Sequence, residues 1–177
     1  MKVIETGIEG LKIIKLQQFT DNRGFFVERF NSTAFHENGL NSNIFQVNHS
    51  MSTKGVIRGM HFQTNPWQCK VVGCIGGSII DVALDIRPNS PTFGKHFMLE
   101  ISSPDVMLYV PHGFAHGFEV LSDVAHVLYF VDNKYDKSSD NGIHYNSCDI
   151  NWQTKNPLIS SKDKQLLTLE TYINKIK

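Results

Sequence analysis

The chain has 177 residues, the size of one ordinary domain, and hydrophobic residues make up 41% of it. Lys plus Arg and Asp plus Glu both count 17, so the formal charge of +0 indicates neither a basic nucleic-acid-binding face nor an acidic tail. Three cysteines without a CxxC pair (Cys69, Cys74 and Cys148) favour reduced thiols over a disulfide framework. We find no signal peptide and no apolar run of membrane-spanning length. We therefore expect one soluble, cytoplasmic domain over residues 1–177.

Short strands dominate the predicted secondary structure. They are rich in β-branched and aromatic residues, and Gly, Pro, Asn and Ser turns separate them. The predicted strands cover residues 11–16, 24–30, 78–86, 97–101, 106–110 and 124–131. Their near-regular spacing predicts an all-β fold, an antiparallel sandwich or barrel of the jelly-roll kind.

Two segments are predicted to be helical. Residues 31–38 form a short helix capped by Asn31 or Ser32. Residues 160–176 open with Ser160 and carry an apolar stripe that we expect to pack against the outside of the sheet. The stripe consists of Leu166, Leu169, Ile173 and Ile176.

The sequence contains no phosphate-binding glycine loop and no GxSxG nucleophile motif. Among the eight histidines, His112 and His116 stand four residues apart, a spacing that suits zinc on a helix. Pro111 and Gly113 instead put them at the end of a strand, where the helical argument fails. We therefore expect a metal-free pocket.

Polar residues concentrate in three segments, 46–50, 58–63 and 111–118, where alternating strands direct them inward. Because alternate residues of a barrel share its interior, we expect Arg58, His61, Lys70 and His116 to meet at one cavity. Burying so many polar groups is costly unless a ligand or a network satisfies them. The pattern therefore favours a binding site over a core.

Four longer segments, 21–30, 45–63, 81–95 and 109–123, resemble the dTDP-4-dehydrorhamnose 3,5-epimerase family. The similarity runs in order from about residue 4 to the SSKD segment at 160–163. The resemblance implies a cupin-type jelly-roll barrel, usually a homodimer formed by strand exchange. It also implies a dTDP-linked 4-keto-6-deoxyhexose substrate, inversion at C3, C5 or both, and no cofactor.

Catalytic roles follow from the same resemblance. His61 in the RGMH motif corresponds to the general base, and Asp163 in SSKD corresponds to the carboxylate that orients it. Tyr129 in HVLYFV corresponds to the general acid, with Tyr135 as its rival, and Lys70 lies near the sugar carbonyl. Imidazole suits the first role because its ordinary pKa of about 6.5 leaves it mostly neutral near pH 7.

Substrate-binding roles are implied at eight further positions, some of them contributed by the neighbouring subunit in the family. These are Arg23, Phe26, Glu28, Gln46, Asn48, Arg58, His116 and Asp140. The chain departs from the family pattern at Asp140, where Glu is usual, and at Tyr145, where Trp is usual. It also carries His112 where Glu is common. These departures leave the sugar and the number of inverted centres open.

Other interpretations come from the residues alone. The spacing Ser160-x-x-Asp163 is also that of a helix cap, and Asp81, Asp85 and Arg87 suit a structural role in one strand and its turn. Three functional alternatives remain as well: a single-centre epimerase, a 3,4-ketoisomerase of related fold, and a cupin that binds a sugar nucleotide or a metal without catalysis.

Overall fold

The computed structural model describes residues 1–176, and β-strands form most of its regular structure. In chain order the strands are Lys2–Glu5 (β1), Lys12–Lys15 (β2), Gln18–Asp21 (β3), Gly24–Val27 (β4), Gln46–Thr53 (β5), Ile57–Gln63 (β6), Lys70–Gly76 (β7), Ile79–Asp85 (β8), His96–Ile101 (β9), Val106–Val110 (β10), Phe114–Val120 (β11), Val124–Val131 (β12) and Asp140–Gly142 (β13). The α-helices are Ser32–Glu37 (α1) and Leu169–Ile176 (α2), and short 3-10 helices span Tyr145–Ser147 and Asp163–Gln165.

The strands form two antiparallel sheets and one separate hairpin. The six-stranded sheet has the order β1-β2-β10-β7-β12-β5, and the five-stranded sheet has the order β13-β6-β11-β8-β9. Within residues 1–176, strands β3 and β4 pair only with each other. Apolar side chains of both sheets pack into one interior cluster, which includes Val72, Val127, Ala83 and Phe118. The predicted all-β jelly-roll architecture is confirmed.

Each sheet also carries apolar packing on its outer face. Phe35 of α1 is buried against the outside of the six-stranded sheet, beside Val71 and Phe130. On the five-stranded sheet, Leu169 and Tyr172 of α2 pack near Phe62. The expected contact between the C-terminal helix and the outside of a sheet is therefore present.

Helix α1 matches its prediction, and the side chain of Asn31 caps it by accepting a hydrogen bond from the Ala34 N–H. The predicted helix over 160–176 is wrong in its first half, because α2 begins only at Leu169. The Ser160 hydroxyl does accept a hydrogen bond from the Asp163 N–H, but the turn that follows is a 3-10 helix. The carboxylate of Asp163 in this turn is buried and accepts a hydrogen bond from the Gly59 N–H of β6. The turn therefore contributes to the site described below.

The β3–β4 hairpin exposes an aromatic surface to solvent. The exposed fractions of Phe19, Phe25 and Phe26 are 60%, 52% and 65%. Strand β5 ends the six-stranded sheet, so one of its edges has no strand neighbour within residues 1–176. Across the same range, no helix is long and apolar enough to cross a membrane.

Candidate active site

A cavity of about 320 Å³ lies between the two sheets. Strands β5, β6, β7, β11 and β12 supply most of its wall, and the loops around β13 and Asp163 complete it. Arg58, His61, Lys70 and His116 all line it, as predicted, although Arg58 and His61 lie three residues apart on β6 and share the cavity only because the register with β11 shifts between them. The remaining lining residues are Asn48, Ser50, Gln68, Phe118, Tyr129, Val131, Tyr135, Asp140 and Lys162.

His61 on β6 is held by a carboxylate from the far end of the chain. Its Nε2 lies 2.7 Å from Oδ1 of Asp163, and the Gly59 N–H donates to the other carboxylate oxygen at 3.2 Å. Burial raises the pKa of Asp163, but these hydrogen bonds outweigh that effect and hold the pKa below its ordinary value. An ionised Asp163 fixes the Nε2–H tautomer of His61, so Nδ1 is the ring nitrogen free to take a proton.

Gly59 allows this arrangement because β6 and β11 approach each other closely there. Its φ is +133°, and a Cβ atom built on it would lie 2.6 Å from the Gly117 Cα. The register between β6 and β11 shifts between His116 and Phe118, beside this contact. Only glycine fits this position, which turns a backbone N–H toward Asp163.

Lys70 begins β7 and is one of the cations that line the cavity. Its Nζ donates to the backbone carbonyl of His61 at 3.1 Å. Burial lowers the pKa of Lys70 to about 8, against the opposing attraction of Asp140 and Asp81. Lys70 is therefore still mostly protonated at pH 7. It loses its proton as the pH rises through about 8.

Two tyrosines line the cavity in different environments. The Tyr129 hydroxyl lies 2.9 Å from the Ser50 hydroxyl, and burial raises its pKa above the ordinary value. Tyr135 has an exposed fraction of 55% and donates a 2.9 Å hydrogen bond to Asp140, which raises its pKa. Tyr129 therefore has the protected hydroxyl, and Tyr135 lies at the mouth.

A second histidine–aspartate pair lies next to the first. His116 on β11 is the register partner of His61, and its Nε2 lies 2.7 Å from Oδ1 of Asp81. Both side chains are almost completely buried, with exposed fractions of 4% for His116 and 0% for Asp81. Oδ2 of Asp81 is sealed from solvent and has no hydrogen-bond partner within the described residues.

The other predicted binding residues divide into two groups. Asn48, Arg58 and Asp140 line the cavity, and Gln46 donates to the Asn48 side chain at 2.6 Å from just outside it. Three residues of the hairpin region do not line the cavity of their own chain: Arg23, Phe26 and Glu28. Arg23 is exposed and forms an ion pair with Asp21.

Some residues of the site were not predicted. Lys162 forms an ion pair with Asp140 at the mouth, and Ser50 contacts Tyr129. Their signals were present in the sequence: Ser50 alternates with Asn48, and Lys162 precedes Asp163. His112 instead pairs with Asp132 at 2.7 Å, outside the cavity. Within residues 1–176 no three His, Cys, Asp or Glu side chains are grouped to hold a metal ion.

The fold and the cavity together define the class of protein. It is a jelly-roll protein whose cavity holds side chains that can accept and donate protons. A profile of the dTDP-4-dehydrorhamnose 3,5-epimerase family matches residues 5–171. The chain belongs to this family of isomerases. The enzyme of that name from Escherichia coli K12 is 46% identical over 179 residues, which cover 98% of this chain and 97% of that protein.

Solved structures agree in fold. The dTDP-4-dehydrorhamnose 3,5-epimerase of Elizabethkingia anophelis has a TM-score of 0.90 at 40% identity, covering 97% of each chain. A 3,5-epimerase from Legionella pneumophila, crystallised with dTDP-4-keto-L-rhamnose, has a TM-score of 0.92 at 37% identity. That match covers 99% of this chain and 94% of the other. The likeness therefore extends over nearly the whole chain.

Proposed function

We propose that this chain is a 3,5-epimerase of dTDP-4-keto-6-deoxyglucose in the dTDP-L-rhamnose pathway. The observation that carries the proposal is the carboxylate-held imidazole of His61, which shares one cavity with the protected hydroxyl of Tyr129. Proton removal on one face and return on the other require an acid and a base on different walls. His61 on β6 and Tyr129 on β12 meet that requirement, because they belong to opposite sheets.

The substrate's own chemistry explains why no cofactor is needed. A ketone at C4 acidifies the protons on C3 and C5, because the carbanion left behind delocalises onto oxygen as an enolate. His61 takes the proton at Nδ1, and the ionised Asp163 stabilises the imidazolium that forms. Tyr129 then donates a proton to the opposite face of the same carbon, which inverts it.

The enolate oxygen carries negative charge after the proton has left the carbon, so a nearby cation or hydrogen-bond donor stabilises it. Lys70 and His116 lie on the cavity floor and supply donors for it. A preorganised donor of this kind contributes about 3 kcal/mol to the stability of such a transition state. Both residues act in a partly dehydrated site, where a charge interaction is stronger than in water.

The nucleotide end is proposed to lie across two subunits of a homodimer. The guanidinium of Arg23 suits a diphosphate, and the exposed aromatics beside it, Phe19, Phe25 and Phe26, suit a thymine base or a partner surface. None of these side chains reaches the cavity of its own chain. An exchanged hairpin therefore explains both the exposed aromatics and the free edge of β5.

A cytoplasmic location is part of the same proposal. The cysteines are free and buried, which suits a reducing compartment. A nucleotide-sugar substrate is also expected there, while nucleic acids and membranes are not expected partners.

Replacing the base tests the proposal. His61→Ala should lower the rate of deuterium exchange into the substrate about 1000-fold, because a general base contributes on that order. Its affinity for dTDP, measured by calorimetry, should stay within about threefold. His49→Ala is the matched control, since His49 is exposed and outside the cavity. Near-normal exchange by His61→Ala would contradict the assignment of the base.

A further inference from the structure

Inversion at two carbons uses the proposed base and the proposed acid twice while one sugar stays bound. Each inversion moves a proton from the substrate to His61 and another proton from Tyr129 to the substrate. Before the second inversion, His61 must lose its extra proton and the tyrosinate must gain one. Both residues therefore need a route to solvent that the bound sugar does not block, a requirement that rests on the proposed function.

His61 has such a route on the side of β6. Its side chain is 31% exposed, and it also lines a second cavity of about 510 Å³ that adjoins the first. Residues of β6 and of the segment 157–164 form this second cavity. A sugar bound between the two sheets does not fill it, so His61 can pass its proton to water there.

Tyr129 has one polar contact. Its hydroxyl lies 2.9 Å from the Ser50 hydroxyl and has no other hydrogen-bond partner among the residues that the structure describes. The rings of His116 and Phe118 flank the Tyr129 ring, each at a centroid separation of 6.2 Å. Tyr129 lines the sugar cavity but not the second one. While a sugar fills the cavity, the Ser50 hydroxyl is therefore the group through which Tyr129 can regain a proton.

The position and the chemistry of Ser50 suit this exchange. Ser50 is half-buried on β5, the last strand of the six-stranded sheet, two residues from the exposed Asn48. A serine hydroxyl can donate one hydrogen bond while it accepts another. Burial raises the pKa of Tyr129, and the hydrogen bond with Ser50 opposes that shift. Ser50 therefore also stabilises the tyrosinate that each proton transfer leaves behind.

We propose that Ser50 relays a proton from solvent to Tyr129 between the two inversions. The Oγ–H bond of Ser50 breaks as the O–H bond of Tyr129 forms, and a water molecule at the rim of the cavity gives Ser50 a new proton. The hydroxide that remains takes up the proton that His61 releases to solvent, so atoms and charge balance. Because Ser50 acts through Tyr129, it is a positioning residue and not a catalytic one.

A single-turnover experiment on Ser50→Ala tests the relay, with NMR of the sugar recovered after rapid quenching. The ratio of the second inversion rate to the first should fall at least about tenfold, because only the second inversion needs a new proton on Tyr129. The singly inverted sugar should therefore accumulate. Ser50→Thr keeps the hydroxyl and should restore the wild-type ratio. A purely structural contact would slow both inversions alike, so an unchanged ratio in Ser50→Ala would contradict the relay.

Ser52→Ala is the matched control, because Ser52 lies on the same strand and face as Ser50. Its hydroxyl accepts a hydrogen bond from the Arg58 Nε at 2.9 Å and does not contact Tyr129. This variant should raise KM through Arg58 and leave the ratio of the two inversion rates unchanged. A fall in that ratio as large as the one in Ser50→Ala would contradict a specific role for Ser50.

A second experiment needs no turnover. dTDP-glucose lacks the reactive ketone, so it can fill the cavity while carbon NMR of labelled tyrosine follows the exchange of the Tyr129 hydroxyl proton with deuterated water. This exchange should be at least about tenfold slower in Ser50→Ala than in the wild-type protein. Equal exchange rates would overturn the relay. Slower exchange in a protein that inverts neither carbon would refute the proposed function and leave the relay standing.

Discussion

Lys70 sets the alkaline limit of the proposed reaction. Burial lowers its pKa to about 8, so the ammonium that would stabilise the enolate is lost as pH rises through that value. We expect kcat/KM to fall to roughly one tenth between pH 7 and pH 9. Lys70→Arg should not show this alkaline decrease, because a guanidinium keeps its proton over that range. The measurement is the pH profile of kcat/KM for both proteins. An identical alkaline limb in Lys70→Arg would assign it to another group.

The same lysine weakens the fold. Its folded pKa lies below the unfolded value, so protonated Lys70 destabilises the folded state fully below about pH 8, and the penalty disappears as pH rises toward 10.5. Lys70→Met should therefore raise the free energy of unfolding at pH 7 by about 1–3 kcal/mol. Its activity should fall about 100-fold. Urea denaturation at pH 7 measures the gain, and a loss of stability would contradict the sign.

The configuration of the recovered sugar distinguishes the roles of the two tyrosines. Tyr129→Phe removes the proposed acid but leaves His61 in place, so protons should still exchange with deuterated water without inversion. Tyr135→Phe removes only the hydroxyl that contacts Asp140 at the mouth, and should raise KM while inversion continues. Proton NMR of the recovered sugar distinguishes the two. If Tyr129→Phe still inverts the sugar and Tyr135→Phe does not, Tyr135 would be the general acid instead of Tyr129.

Among the elements, the contact between β6 and β11 holds the His61 pair in place. Gly59→Ala would put a methyl group 2.6 Å from the Gly117 Cα, at a φ of +133°. We expect a loss of about 3 kcal/mol or more, from overpacking and backbone strain together. Gly94→Ala is the control, because its φ is +77° but nothing lies within 4 Å of the added atom. Its cost should be about 1 kcal/mol, and equal losses in urea denaturation would contradict the role of close approach.

Strands were easier to predict than the C-terminal segment. Residues 78–86 and 124–131 alternate strongly, and the structure has strands at Ile79–Asp85 and Val124–Val131. The pattern over 160–176 is helical throughout, but Asp163 contacts His61, a residue 102 positions earlier. Local periodicity does not report a contact at that separation, so the segment forms a 3-10 turn where a longer helix was expected.

At the scale of the whole molecule, the proposed dimer predicts shared sites. If Arg23 serves the partner's cavity, His61→Ala and Arg23→Ala subunits should complement each other after joint refolding. Random mixing makes half the dimers mixed, each with one intact site, so activity should recover to about one quarter of wild type. Light scattering on the same samples checks that they are dimers. No recovery in a confirmed mixed dimer would contradict the exchange of the hairpin.

The site as a whole was predictable only in part. The prediction that Arg58, His61, Lys70 and His116 share one cavity is confirmed. Alternation alone would put Arg58 and His61, three residues apart, on opposite faces of β6, and the register shift against β11 brings them together. The carboxylates that hold the two histidines were harder to foresee. Asp81 lies 35 residues from His116, and its unpartnered oxygen is a property of three-dimensional packing that no local pattern encodes.

The most direct measurement is NMR of dTDP-4-keto-6-deoxyglucose incubated with the wild-type protein in deuterated water. An enolate route through His61 and Tyr129 requires that each inverted carbon receive its proton from solvent. We predict deuterium at both C3 and C5 in a product inverted at both centres. Deuterium at one carbon would make the protein a single-centre epimerase, and absence from both would contradict the proposed reaction.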